Sequence, residues 1–545
     1  MIRRPKAPPP LSHIPAGHVS RREFLALGSI GLVVASGLGS QAQAQTAAFD
    51  FYISPTGNDS NAGTVSSPWA ITSLMAASQT SRNVANFNAI AGKRLGLLPG
   101  IYNVASYIQP DSHTGALQIP GGTASASTYI GSSDSSGNYS ARTATITALN
   151  GSVFGGRPGY TYNGPILANT GGSYNSGYFT LDGLVISGFS YKGVRIGGNS
   201  SGDGPANVQR VIVQNCQFTG GGHNSGDATD NSSALWLDYT IGAVVQNNYF
   251  LNNIGFNAGN ADHLAAIICW GCQGSQIGFN SMVNAGYIWG KENANQGNNV
   301  FNNYVDCSMY TAQSSANGIQ DFTGANTSGL TQTTNIHHNI LLSTGFGLGY
   351  ATLSQNYGWT TPVNFYNNTI IMVQAGGLIV EAAVWMFSQI SGNVKLYNNI
   401  LAGVMSGDYG AIRFNANGPS VWDYNLVPSA MTWKMLAGSS GSTQTGAYTS
   451  LSSVQAAVVA AGGISTFDAH TLQSSNPGFV GAGTMALQYQ LTSGAAAANA
   501  GRVGGVPSGA ICNIGAWDGT VTQVGSSLNG GAIVLPDPPS NVTVS

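Results

Sequence analysis

Charge is the scarcest property of this chain: Asp, Glu, Lys and Arg together make up 7% of its 545 residues. A disordered chain would carry more charge and fewer Ile, Leu, Val and aromatic residues, so this one folds. Leu, Glu and Lys are too sparse, and Gly too abundant at 75, for a helical protein. An excess of positive charge is missing as well. Without residues 1–45 the chain holds 13 basic against 19 acidic residues, a net charge of −6, which excludes a basic nucleic-acid footprint. Cysteine is limited to Cys216, Cys269, Cys272, Cys307 and Cys512. Five cannot all pair, and Cys269-Trp270-Gly271-Cys272 lacks the other two ligands of a zinc site. They read as small buried apolar residues, with room for one disulfide. What remains is an all-β protein with many turns.

No stretch has the length of a stable membrane span. The apolar run Ala26 to Leu38 is too short and too rich in Gly. Ser20-Arg21-Arg22-Glu23-Phe24-Leu25 precedes it and Ala42-Gln43-Ala44 follows, the order of a signal peptide, and the paired arginines point to the twin-arginine route. Residues 1–45 are therefore expected to be an export signal. The product is expected to be periplasmic or secreted, with no membrane contact after signal removal, and monomeric.

What the chain does have is a repeat. Val213-Gln214-Asn215-Cys216, Gln246-Asn247-Asn248-Tyr249 and Gly278-Phe279-Asn280-Ser281 share one phrase of strand, Asn turn and strand. Phe301-Asn302-Asn303-Tyr304, His337-His338-Asn339-Ile340, Tyr366-Asn367-Asn368-Thr369 and Tyr397-Asn398-Asn399-Ile400 continue it, and Asp423-Tyr424-Asn425 is a last weak copy. Periods of this size with short alternating strands predict a β-solenoid, specifically a right-handed parallel β-helix over residues 46–530. Stacked coils bury a continuous core that one coil cannot bury alone. Asn fits the turn because its amide tolerates left-handed dihedrals and bonds to the Asn one coil away. Ser66-Ser67-Pro68-Trp69 is expected to start a short capping helix reaching Ala77. A second helix is expected over 451–462, and a Pro-rich tail over 531–545.

Tyr52-Ile53-Ser54-Pro55-Thr56-Gly57-Asn58-Asp59, then Leu98-Pro99-Gly100-Ile101-Tyr102, resembles the opening of secreted β-helix proteins of the pectate-lyase superfamily. Asn476-Pro477-Gly478-Phe479 with Ile514-Gly515-Ala516 resembles their ending. The resemblance spans about residue 50 to 520 and implies the fold, while lyases, hydrolases, epimerases and adhesins all share it.

Aligning the coils gives Leu235, Ile267, Ile288, Ile319, Leu348, Leu378 and Ile412 as an inward column. Trp236, Ile268, Trp289, Gln320, Gly349, Ile379 and Arg413 then face out, as do Asp238, Trp270, Lys291, Phe322, Ala351, Glu381 and Asn415. Flat aromatic rings among polar groups suit pyranose rings, so Trp236, Trp270, Trp289, Gln320, Phe322 and Arg413 are candidate contacts to a polysaccharide.

Three readings follow, in this order. The first is a polysaccharide lyase. β-Elimination from a uronate needs a base for the C5 proton and positive charge for the carboxylate. Lys291 is the candidate base. Ile288-Trp289-Gly290-Lys291 through Asn302-Asn303 is similar to the strand-Lys-turn-Asn stretch of the alginate lyase and chondroitinase B group, which implies that role for Lys291. That group's partner arginine has no counterpart here, because Gln320, Asp321 and Phe322 occupy the next strand. Calcium would then supply the charge, from Asp227, Asp230 and Asp262 beside Asp238. The second reading is a glycoside hydrolase for a neutral polymer. Nine acids (Asp203, Asp227, Asp230, Asp238, Asp262, Glu292, Asp306, Asp321 and Glu381) stand against Arg210 and Lys291 between residues 196 and 394. Hydrolysis would use two of Asp238, Asp262, Asp321 and Glu381, with His263 assisting. The third is a non-catalytic polysaccharide-binding or surface protein. His337-His338 stands at an Asn-turn position and reads as structural.

Overall fold

The computed structural model describes residues 48–527 except 76–82, 109–114, 149–165, 170–176, 190–191, 198–207, 222–231, 254–263, 292–294, 309–317, 321–331, 344–347, 351–361, 373–382, 387–393, 404–411, 416–418, 438–442, 482–484 and 522. For residues 167–169, 264, 291, 320, 343, 348–350, 385–386, 412–415, 419, 436–437, 443–444 and 485 it describes the backbone only.

Each coil contributes one short strand to each of three long sheets. Gln246 ends a strand of the first sheet, two residues turn the chain, and Tyr249–Leu251 enters the second. A longer connection leads to Leu264–Trp270 in the third, and Gln276–Gly278 returns to the first. Among the described residues the sheets hold 13, 12 and 12 strands, and successive coils pair in parallel. This is the expected parallel β-helix. Alternation along each strand sends Leu235, Ile267, Ile288 and Ile319 into one continuous core with Val211, Val245, Phe218 and Phe250 from the other sheets.

The Asn pairs divide their work. The first residue of each pair takes the left-handed corner: Asn215, Asn247, Phe279, Asn302, His338, Asn367, Asn398 and Tyr424 have φ of 53–57°. The second residue forms a buried ladder running through Asn248, Asn280, Asn303, Asn339, Asn368, Asn399 and Asn425. Each Nδ2 donates to the Oδ1 of the next Asn at 3.0–3.1 Å. Each Oδ1 also accepts a backbone N–H from the coil before it, as Asn303 does from Asn280 at 3.1 Å. The carboxamides thereby satisfy turn groups that would otherwise be buried without partners.

The N-terminal end corrects one expectation. No helix spans 66–77 among the described residues: Thr64 and Ser67 form a tight bridge, and a short 3-10 turn occupies Ile71–Leu74. Asp59 holds this segment open by accepting from Ala70 N, Thr72 Oγ1 and Ser73 Oγ. The α-helix is Val84–Ile90, with the Asn83 side chain capping Asn86 N at 3.1 Å. Its Ile90 joins the core, so the solenoid end is closed by a later segment than the sequence indicates. At the far end the helix Leu451–Ala460, where one was expected, buries Val454 and Val458 in the same core.

The C-terminal segment returns along the outside of the coils against the chain direction. Arg502 N and Gly515 N bond Asn398, and Ala516 N bonds Thr369. Asp518 reaches His338, Gly525 N reaches Asn302 and Ser526 reaches Asn247. Trp517 and Val524 pack with Tyr304, Ile340 and Leu342 on the second sheet. No disulfide forms: all five cysteines are free, and Cys216, Cys269, Cys272 and Cys307 are buried. Burial pushes the Cys269 thiol well above its ordinary range, as suits a small core residue. No described helix is long and apolar enough to cross a membrane.

Candidate functional site on the third sheet

Connections into and out of the third sheet vary in length and several run to ten residues or more, whereas two residues join the first sheet to the second on nearly every coil. Such insertions on a rigid scaffold are where binding sites are built. The strands Lys192–Gly197, Ser232–Asp238, Leu264–Trp270 and Tyr287–Lys291 lie side by side here. Their register sets Arg195, Trp236, Ile268, Trp289 and Gln320 in one column. A second column holds Gly197, Asp238, Trp270 and Lys291. Both columns agree with the alignment of coils read from the sequence.

The outer side chains form an apolar cluster of their own, separate from the main core: Trp236, Ala265, Ile268, Tyr287 and Trp289, with Trp270 against them. Trp236 and Trp270 stack at 5.5 Å and 21°. The expected open aromatic platform is thus a covered one. Trp236 is 6% exposed and Trp289 1%, while Trp270 keeps part of its surface accessible. On the strand Ser232–Asp238, the indole Nε1 of Trp236 and the Oγ atoms of Ser232 and Ser233 are buried with no hydrogen-bond partner among the described residues.

Two cations that the sequence reading passed over stand at the start of this face. Arg195 Nη2 donates to Asp238 Oδ2 at 2.7 Å across one strand step, with both side chains under 10% exposed. Lys192 Nζ lies 3.9 Å from the centroid of the Trp236 ring, and Arg195 Cζ lies 5.4 Å from it. The signal was available: Val194 pairs with Leu235, so the inward column extends one coil further back and brings Lys192 and Arg195 with it.

Further along, the register corrects the column. Leu348 pairs with Val384, and Val384 with Ile412, so Val384-Trp385 occupies the place expected for Leu378-Ile379. Glu381 precedes that strand and lies outside the described residues. Trp385 pairs with Arg413, and Arg413 with Lys434. Asp227, Asp230, Asp262, His263, Asp321 and Phe322 also lie outside the described residues. Lys291, Gln320 and Arg413 are placed by their backbone registers.

Of the expected calcium ligands only Asp238 lies among the described residues. Asp238 is engaged with Arg195, and no group of three or more His, Cys, Asp or Glu side chains comes together among the described residues. His337 and His338 are structural, as expected. His337 stacks between Phe301 and Tyr366. His338 Nε2 meets Asp518 at 2.9 Å. Burial holds the His337 ring well below the usual imidazole range.

The balance of charge singles out this sheet. Its described strands carry five basic residues, Lys192, Arg195, Lys291, Arg413 and Lys434, and one acid, Asp238. The first sheet's strands carry Arg94, Arg210 and Lys395 against Asp182 and Asp423, and the second's carry Asp306 alone.

No protein-family model matches the chain, and no curated protein sequence matches it. Among solved structures it is similar to pectate lyase Pel9A, with 14% identity, a TM-score of 0.41, and 86% of this chain and 96% of that one covered. It is also similar to a rhamnogalacturonan lyase, at 10% identity and a TM-score of 0.38 over 66% and 83% of the two chains. A GH136 lacto-N-biosidase from Eubacterium ramulus is similar at 11% identity and a TM-score of 0.34 over 68% and 65%. All three likenesses are distant.

Proposed function

We propose that the chain is a carbohydrate-active enzyme, a polysaccharide lyase that cleaves a uronate-containing polymer lying along the third sheet. The observation that carries this reading is the charge of that sheet: five basic residues and one acid, in a chain whose part beyond residue 45 has a net charge of −6. Arg195 neutralises the single acid. Even with Lys291 deprotonated the sheet stays positive, which favours a polyanion over a neutral glucan. Hydrolysis would need two carboxylates facing each other across the bond, and Asp238, the one on the described strands of this sheet, is already paired with an arginine.

Lys291, as the neutral amine, is the proposed base. Its Nζ lone pair takes the C5 proton of a uronate. The C5–H electrons become the C4=C5 double bond as the C4–O bond to the neighbouring sugar breaks, and the leaving oxygen takes a proton. Arg195 stands three strands from Lys291, about 14 Å at about 4.8 Å per strand. Arg195, buried in its pair with Asp238, and Lys192, buried against the Trp236 ring, therefore brace this face from beneath and do not touch the sugar being cleaved. Export through residues 1–45 belongs to the same reading.

The test is ultraviolet absorbance during incubation with a panel of uronate polysaccharides, run with calcium and with chelator. Rising absorbance that falls at least about a hundredfold in Lys291→Ala is the expected result. New reducing ends on a neutral glucan, with no absorbance on any uronate polymer, would overturn it.

A further inference from the structure

We infer that Arg413 and Lys434, with Trp385 on the strand before them, form an anion-binding station for the polymer, remote from Lys291. It lies at the opposite end of the third sheet from Lys192 and Arg195. The inference rests on the lyase reading for its substrate class and adds to it the length of chain that the protein engages. The strands run in the order Lys192–Gly197, Ser232–Asp238, Leu264–Trp270, Tyr287–Lys291, Ile319–Gln320, Leu348–Tyr350, Val384–Met386, Ile412–Asn415 and Trp433–Ala437. Trp385, Arg413 and Lys434 hold one register position on the last three.

That position belongs to the outer column. It is the one held by Arg195, Trp236, Ile268 and Trp289 on the earlier strands, while Trp433, in register with Ile412, is buried in the main core. Arg413 and Lys434 are therefore like charges on directly paired residues, an arrangement that costs stability unless something negative lies across it. The neighbours in register do not supply an acid. Trp385 precedes the pair and Ala447 follows it, and Lys434 makes no ion pair among the described residues. Lys434 is half-buried and Ala447, in register with it on the next strand, is exposed.

From the Lys291 strand, Arg413 is four strands away and Lys434 five, about 19 and about 24 Å at about 4.8 Å each. An oligomer of two or three sugars bound at Lys291 does not reach this pair, whereas a long carboxylated chain does. The site thus selects polymer over short oligomer, as an enzyme that cuts within chains does.

The test compares the whole protein with an Arg413→Gln/Lys434→Gln double variant. Dissociation constants are measured for a long uronate polymer and for its trimer, in low and in moderate salt. The double variant is expected to bind the polymer about tenfold more weakly, a loss of about 1.4 kcal/mol, with a shallower salt dependence and a much smaller loss on the trimer. An Arg413→Lys/Lys434→Arg variant should restore polymer binding, which separates lost charge from lost folding. Polymer binding within twofold of the parent, or equal losses on polymer and trimer, would overturn the station. A parent protein that cleaves only neutral glucans would sink the lyase reading by itself. The station is then judged on a carboxymethylated glucan: a tenfold loss in the double variant upholds it, and unchanged binding removes it.

Discussion

Asp238 accepts its charge-assisted hydrogen bond from Arg195, on the adjacent strand, at 2.7 Å in a place where both side chains are almost wholly buried. Two desolvated charges hold each other there, so removing one strands the other. Asp238→Asn or Arg195→Met alone should cost about 3–5 kcal/mol in urea unfolding. The double change Arg195→Met/Asp238→Leu should recover most of that loss, because a packed apolar pair needs no compensation. Single variants within about 0.5 kcal/mol of the parent would show that the pair carries little of the fold.

The Asn ladder gives a second prediction. Asn303 donates to Ile277 O at 2.9 Å and Asn339 Oδ1 at 3.0 Å, and its own Oδ1 accepts from both the backbone N and Nδ2 of Asn280. Asn303→Ala leaves Asn280 N and Ile277 O buried without these partners, at about 1–3 kcal/mol each. The corner residue before it, Asn302, has φ of 53°; Asn302→Gly keeps that corner and should cost well under 1 kcal/mol. Unfolding midpoints of the two variants decide it: equal losses would mean that the ladder and the corner are not separate devices.

Much of this fold was legible in the chain because a solenoid repeats its local rules. The inward column from Leu235 to Ile319 followed from alternation and recurrence alone. The column slipped at Leu378 because Leu378-Ile379-Val380 and Val384-Trp385-Met386 are both short apolar runs. Alternation cannot choose between them, and only the pairing to Leu348 and Ile412 does. Ser66-Pro68 carried real helix-start chemistry, but Asp59 claims the following N–H and hydroxyl groups first. Lys192 and Arg195 went unread because the coil before Leu235 lacks the Asn-Asn phrase that marks the later ones. The covering of Trp236 and Trp289 is a tertiary fact that no spacing encodes.

The C-terminal strap should be pinned where Asp518 meets His338. Partial burial would push the Asp518 carboxyl up, but hydrogen bonds from His338 and Thr520 outweigh it and hold the group below the usual carboxylate range. A depressed folded value means stability that is present above the unfolded pKa of about 4 and lost as pH falls below it. Asp518→Asn should therefore cost about 2 kcal/mol at pH 6, with the difference from the parent shrinking below pH 4. Hydrogen exchange at Gly515 and Gly525, which bond Asn398 and Asn302, reads the strap directly. Unchanged protection of these amides at pH 6 would show that Trp517 and Val524 hold the strap without that contact.

Asp468 should behave in the opposite sense. It is fully buried near the helix Leu451–Ala460, where Gln455 Nε2 donates to its backbone carbonyl at 2.9 Å. Thr471 donates to Oδ1, while Oδ2 has no hydrogen-bond partner among the described residues. Burial pushes this carboxyl up to about 7, with the Thr471 hydrogen bond drawing it back only in part. A raised folded value means that the native chain keeps a proton which the unfolded chain releases near pH 4. Stability then declines as pH rises from about 4 to about 7 and stays lower above. Asp468→Asn removes that penalty. It should match the parent at pH 4 and exceed it by about 2–4 kcal/mol at pH 8, measured as urea unfolding across the range. A variant no more stable than the parent at pH 8 would mean that the ionised carboxylate finds compensation at this end of the solenoid.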